Sequence, residues 1–227
     1  MRSTIASLAA AALLGIGSGA SATTIVLSSV SSDATPASQL DATFDFSVAG
    51  STLTLTVTNT GSDGFNLNSV YFNGSGLVSS LSLTSATHSV AADVTAAWAP
   101  VEVSGLSVGG FGSFDFALTD GVGETNPNVL NDGESVVFVL AITGAGGYVD
   151  ADFIVANGSG YVAAAKFING PPDPECATAV IPTETCPEGV GTEDSAFGAV
   201  TDVPEPATTL LLAVGLAGLV FAGRKRA

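Results

Sequence analysis

The sequence predicts an all-β protein, an antiparallel β-sandwich, because residues 23–169 show two recurring features of β-strands and no helical pattern. Polar and apolar residues alternate with a period of two, as expected for strands that bury one face. Turns rich in glycine and asparagine follow these segments about every ten residues. No amphipathic helical pattern interrupts them. Each strand can therefore be placed from its own alternation.

The first two strands have the clearest alternation. Residues 43–48 place phenylalanine and valine against polar neighbours, and Thr52–Asn59 places Thr52, Thr54, Thr56 and Thr58 on one face with leucine and valine on the other. The turn at 61–64 leads into a third strand, which ends at Asn73-Gly74. The same pattern predicts further strands over 113–119, 135–143, 148–156 and 161–169.

After residue 169 the composition changes. Residues 170–203 are rich in proline, threonine, glutamate and glycine, and the prolines near 172 supply no donor to a strand ladder. We expect these residues to form an extended acidic stalk. Cys176 and Cys186 lie within it, and in an exported chain a lone pair of cysteines favours a disulfide. A metal site would need two more soft ligands nearby.

Both ends of the chain have the pattern of targeting segments. Residues 1–22 combine a positive start, a short apolar run and a small-residue site at Ala20-Ser21-Ala22, which predicts a signal peptide cleaved after Ala22. An uncleaved N-terminal anchor is the alternative. At the other end an uncharged run over 207–223 predicts a single transmembrane helix. Arg224, Lys225 and Arg226 follow it and would stay on the cytoplasmic side.

The C-terminal residues 203–226 resemble the PEP-CTERM sorting signal, in which Pro204, Glu205 and Pro206 precede an apolar helix and a basic end. In Gram-negative bacteria this signal marks substrates of exosortase, a membrane cysteine protease, and such systems usually accompany exopolysaccharide production. The resemblance implies processing by signal peptidase and exosortase. It also implies a transient stay in the inner membrane and a final place at the cell surface or outside the cell. An ordinary single-pass anchor is the alternative.

The predicted domain offers a second and shorter resemblance. Residues 55–61 and 130–138 are similar to strand-and-turn segments of bacterial immunoglobulin-like domains. Tails of the PEP-CTERM type also occur on some ice-binding proteins, so the tail does not define what the domain does. The threonine face at 52–58 could serve such a role, although a single strand makes a poor ice template.

The charge of the exported region is strongly negative. All 21 acidic residues lie between Asp33 and Glu205, and Lys166 is the one basic residue in that range. A surface of this kind repels nucleic acid, anionic lipid and acidic polysaccharide. Binding to an acidic polymer would therefore need bridging divalent cations, and we expect no nucleic-acid partner.

Residues able to perform catalysis are few. His88, the only histidine, has no nucleophile patterned beside it, so we expect an ordinary strand or loop residue and no enzyme. Trp98 could stack on a sugar ring from an exposed position, but a lone tryptophan in a sandwich favours the core. Asp150 and Asp152 would share one face of a strand, as an acid/base pair, a cation site or the wet face of an edge strand.

One connection is rich in oxygen ligands. Such loops sometimes hold calcium, although the spacing is not that of an EF-hand and ordinary turn chemistry explains these residues equally well. The candidate calcium ligands are Asp120, Glu124, Asp132 and Glu134, with Asn126, Asn128 and Asn131 between them. We expect no other cofactor.

These observations favour a non-enzymatic envelope or extracellular-matrix protein, with a structural or adhesive role linked to exopolysaccharide or biofilm. The alternative is a surface module that binds carbohydrate, ice or calcium. That alternative predicts an exposed Trp98 or convergence of the acidic residues of 120–134 on one point.

Overall fold

The computed structural model describes residues 22–27, 29–30, 40–62, 64–91, 93–120, 128–168 and 196–201. The chain is all-β, as predicted, and the described residues also include a short α-helix, α1 (Thr95–Trp98), and a 3₁₀ helix over Asp150–Phe153. The strands are β1 (Thr23–Val26), β2 (Ser29–Val30), β3 (Ala42–Ala49), β4 (Thr52–Asn59), β5 (Asn66–Phe72), β6 (Val78–His88), β7 (Glu102–Ser107), β8 (Ser113–Thr119), β9 (Ser135–Gly144), β10 (Ala163–Ile168) and β11 (Ala196–Val200).

The strands form two antiparallel sheets. Sheet A has the order β1-β3-β4-β9-β6, and sheet B has the order β2-β11-β10-β5-β8-β7. The N-terminal strands β1 and β2 are separated by two residues but lie in different sheets, so the chain changes sheets there. Leu27, between them, donates its amide to the carbonyl of Ala42 at 2.9 Å.

Alternation along β3 and β4 explains the buried face of sheet A. Phe44 and Phe46 of β3 and Leu53 and Leu55 of β4 are fully buried, whereas the polar residues that alternate with them are half-buried on the outer face. A period of two is what a strand needs to bury one face only. The ring of Phe46 meets that of Phe72 in β5, with centroids 5.8 Å apart, so the two sheets share one core.

The outer face of sheet B is also covered. The connection between β7 and β8 places Val108 and Phe111 with Phe114 against Ala164 and Ala199 in a second, smaller cluster. Alanine at the last two positions leaves room for this layer. Small side chains in β10 and β11 are therefore a requirement of packing on both faces.

Six of the seven predicted strands are present, as β3, β4, β5, β8, β9 and β10. The prediction of a strand over 148–156 is wrong, because Asp150–Phe153 forms a 3₁₀ helix whose Phe153 is fully buried. The 3₁₀ helix allows Asp150 to accept the amide of Val48 at 2.6 Å and Asp152 to accept that of Val149 at 2.9 Å.

The predicted stalk over 170–203 is wrong for residues 196–200, which form β11 inside sheet B. This strand pairs with β10 on one side and β2 on the other. Ala199 and Val200 are fully buried. The folded domain therefore extends to Val200 rather than ending at residue 169.

Several predicted segments lie outside the described residues. These are residues 1–21 of the signal peptide including Ala20, both cysteines, and 202–227 with the apolar run 207–223. Within the described part of the chain, no helix has the length and apolar character needed to cross a bilayer.

Candidate functional site

The junction between the last strand and the C-terminal motif is the main candidate site. Val200 ends β11 fully buried, and its carbonyl accepts the amide of Val162 at 2.8 Å. Thr201, the next residue, is exposed. Only residues 201–203 separate the strand from Pro204, so at ~3.5 Å per residue the two Cα atoms are at most about 14 Å apart. The motif thus follows the folded domain directly.

The predicted N-terminal cleavage site would also lie directly beside a strand of the domain. Thr23, the first residue after the predicted bond, is also the first residue of β1 and pairs with Phe46. Cleavage after Ala22 would leave this strand whole. The predicted signal peptide itself lies in the part of the chain that the structure does not describe.

The lone tryptophan belongs to the core, as predicted. Trp98 ends α1 with none of its surface exposed, and its indole meets the ring of Phe138 edge-on at 5.0 Å. An aromatic platform for sugar stacking must be exposed, so the interpretation of Trp98 as such a platform is wrong.

The single histidine stabilises a turn. His88 ends β6 and is buried, and its Nδ1 accepts the amides of Val90 and Ala91 at 3.1 and 3.4 Å. Its Nε2 lies 3.6 Å from a carboxylate oxygen of Glu134. An imidazole that accepts through Nδ1 carries its proton on Nε2, so this pair is a weak electrostatic contact across the turn. His88 is thus a strand-end residue, as predicted.

Two of the four predicted calcium ligands accept backbone amides. Asp132 accepts the amide of Gly64 at 3.0 Å, and Glu134 accepts the amide of Asn131 at 2.9 Å. Asp120 is buried, and Glu124 lies outside the described residues. Across the described ranges no three His, Cys, Asp or Glu side chains are grouped closely enough to hold a metal ion.

The threonine face of β4 continues only in part onto the neighbouring strands. Thr58 lies between Thr43 and Ser135, and Thr54 lies beside Ser47. The other two rows are interrupted, since Thr56 is flanked by Asp45 and Val137 and Thr52 by Ala49 and Ala141. The hydroxyl of Thr24 donates to Asp45 in the same row. A two-dimensional array of equivalent hydroxyls is therefore not formed here.

A cleft that sequence reasoning missed lies between the edge strands β6 and β7. It has a volume of about 370 Å³. Its polar lining consists of three serines and one aspartate, and the rest is glycine, valine and phenylalanine: Ser75, Ser79, Ser104, Asp115, Gly74, Gly76, Val78, Val103 and Phe116. The Asp115 carboxylate accepts the amide of Gly74 at 3.1 Å. No pattern in the sequence signals this cleft, because it arises from the pairing order of the sheets.

Titration is shifted at two described sites. Burial raises the pKa of Tyr71 above its usual value, hydrogen bonds from Ser69 and Thr119 oppose this, and repulsion from Glu102 adds to it. Hydrogen bonds from Thr95 lower the pKa of the exposed Asp93. Both shifts follow from local structure and neither lies beside a nucleophile and a base.

Comparison with protein families identifies the PEP-CTERM protein-sorting motif over residues 202–226. No curated protein and no solved structure matches the chain. The match begins two residues after β11 ends and covers Pro204, Glu205, Pro206 and the basic end. This motif indicates an exported protein that is targeted to exosortase. The chain is therefore a PEP-CTERM domain-containing protein.

Proposed function

We propose that the protein is a non-enzymatic component of the cell envelope or extracellular matrix, delivered by exosortase and linked to exopolysaccharide or biofilm. The observation that carries this proposal is the direct succession of β11 and the sorting motif. The domain is complete at Val200, and Pro204 follows four residues later. Sorting at this motif would therefore deliver the domain as one folded unit.

The sorting step follows from the chemistry of the tail. Pro204 and Pro206 disfavour helix on either side of Glu205, which keeps the tripeptide extended beside the membrane. The run over 207–223 holds the chain in the inner membrane, and Arg224 to Arg226 stop transfer on the cytoplasmic side. Cleavage near Pro204 then removes helix and basic end together, after signal peptidase has cut behind Ala22.

A structural role suits the polar residues of the domain. The carboxylates of Asp115, Asp132 and Asp150 each accept a backbone amide of a turn or strand. His88 does the same for two amides. These groups hold loops in place, so the role we propose needs no cofactor and no catalysis. The two-sheet architecture is compatible with an immunoglobulin-like sandwich, which we propose as its fold type.

Most of the predicted stalk lies between β10 and β11, outside the described residues. We propose that Cys176 and Cys186 form a disulfide there, which would stabilise the chain by about 2–3 kcal/mol through its short loop. Since β11 returns to the sheet, this segment is a loop attached at both ends.

Carbohydrate binding is the second candidate function, favoured by the cleft between β6 and β7. Three serine hydroxyls and one carboxylate line it, and groups of this kind bind sugar hydroxyls. Ser104→Trp would fill the cleft, and loss of glycan binding in this variant, with Thr58→Trp on the outer face of sheet A as control, would support this role.

The sorting proposal is tested by intact mass of the protein from its native host. We expect the wild type to lack both terminal segments and Pro204→Ala to keep its C-terminal apolar run. Pro182→Ala, outside the motif, should be processed like the wild type. Retention of residues 221–227 in all three proteins would favour an ordinary membrane anchor instead.

A further inference from the structure

The domain has one end from which the chain leaves toward the sorting motif, here called the exit end. It contains Val200, the turn between β3 and β4, the loop 73–77 and the segment 145–162. The pairing registers place these together, since Val200 pairs with Ala163 and Ala163 with Phe72. The β4–β5 turn and the end of β6 lie at the opposite end.

Exposed apolar side chains gather at the exit end. Leu77, Val103 and Val149 expose 41%, 51% and 56% of their surface. They lie on segments that contact one another. The carbonyl of Leu77 accepts the amide of Ala145 at 2.9 Å, the carbonyl of Asp152, three residues after Val149, accepts the amide of Ser75 at 2.7 Å, and Val103 lines the same cleft as Ser75. At the opposite end Val26 and Val90 are exposed singly.

The length of chain after β11 limits how far this end can stand from the bilayer. Six residues lie between Val200 and Ala207, where the uncharged run begins, so the two Cα atoms are at most about 25 Å apart at ~3.5 Å per residue step. The prolines at 204 and 206 leave the linker little freedom to fold back. Whenever the run is inserted, Val200 must therefore lie within about 25 Å of the membrane surface, and the exit end is the part of the domain held nearest to it.

The charge of the exit end indicates which kind of membrane surface it can contact. The exit end carries the carboxylates of Asp115, Asp150 and Asp152, each accepting a backbone amide, and Lys166 lies farther along β10 opposite Ser69. Anionic headgroups would be repelled by these carboxylates. Zwitterionic headgroups would not, and exposed apolar side chains gain by entering the interface.

We propose that the exit end rests on a zwitterionic phospholipid surface through Leu77, Val103 and Val149 while the tail is inserted. This inference rests on the proposed function, in which residues 207–223 cross the membrane before cleavage. The domain then lies directly above the Pro204–Pro206 segment, so removal of the tail also frees this apolar region from its lipid partner.

The test uses the full chain reconstituted into phosphatidylcholine vesicles, with Leu77→Trp and Val90→Trp as a matched pair of exposed positions at opposite ends. Trp98 is buried in both variants and supplies a constant background. In vesicles of brominated phosphatidylcholine we expect Leu77→Trp to lose fluorescence and Val90→Trp to keep it. Adding anionic phospholipid should reduce the loss.

Other outcomes separate the two proposals. If the protein floats with the vesicles but Leu77→Trp keeps its intensity, or both variants lose it equally, the docking inference is overturned while the anchor stands. If the protein does not float with the vesicles, the anchor is overturned and the docking inference with it. Circular dichroism of both variants confirms that each is folded.

Discussion

At the scale of single residues, burial decides what the aromatic side chains do. Trp98 and Phe138 join α1 to sheet A, and neither exposes any surface. Tyr71 lies on the outer face of sheet B, where its ring is tilted against Phe114 at 6.2 Å. Each is held by packing from more than one element, so substitutions there act on stability.

Replacing Trp98 by alanine should lower the free energy of unfolding by about 3–5 kcal/mol, because a large buried ring is lost and the cavity cannot be filled. Urea denaturation followed by circular dichroism measures this. Val90→Ala, at a side chain that is 71% exposed, should change it by less than about 0.5 kcal/mol. Equal effects at the two positions would contradict the burial of Trp98.

The raised pKa of Tyr71 predicts that the protein loses stability at high pH. Burial raises the pKa of its phenol in the folded state, so below about pH 10 both folded and unfolded chains keep the proton and the shift has no effect. Above that pH the unfolded chain releases the proton first, and stability falls. Tyr71→Phe should show a smaller fall between pH 9 and 11 in urea denaturation. Parallel falls in the two proteins would refute this.

At the scale of elements, the strength of the local pattern decides which strands the sequence predicts. β3 and β4 alternate large apolar and polar residues and are predicted with almost their observed bounds. β6 is an edge strand rich in serine and threonine, with register shifts near residues 79 and 84 that interrupt the period of two. Its pattern is therefore invisible in the sequence alone.

The last strand is hidden for a different reason. β11 consists of small residues around Phe197, since a Cβ at Gly198 would lie 2.4 Å from Leu27 and Ala199 carries the second cluster on its outer side. A strand that must carry small side chains on both faces shows no alternation of large apolar and polar residues. The prediction that Asp150 and Asp152 share one face of a strand is wrong for a related reason, because residues two apart lie on one face only if the segment is a strand.

Two truncated chains test the role of β11. A chain of residues 23–195 should unfold at a much lower urea concentration than one of residues 23–201, because it loses the strand between β2 and β10 and the burial of Val200. The longer chain keeps every described strand. Equal urea midpoints would show that β11 is dispensable.

At the scale of the whole molecule, the negative charge is a property that can be obtained directly from the sequence. The formal net charge is −16, and four of the five basic residues lie in the terminal segments. The sorting motif could likewise be predicted because its parts are contiguous in the chain. The exit end could not, since its exposed apolar residues come from two connections and from strand β7, which only the fold brings together.

The negative charge of the protein predicts how it binds an acidic polysaccharide. In EDTA at physiological ionic strength we expect no retention on immobilised alginate, since both surfaces are negative. Millimolar calcium should allow retention by bridging carboxylates. Affinity chromatography with and without the metal measures this, and retention in EDTA would contradict the expectation.

The position of β11 between β2 and β10 also sets an order of events in time. A polypeptide that emerges N-terminus first presents β2 and β10 long before their shared neighbour, and sheet B stays open until that neighbour arrives. The apolar run of the sorting motif follows only a few residues later in the sequence. If that run stops transport as we propose, the domain would complete sheet B at almost the same moment, and exosortase would meet a substrate that has only just finished folding.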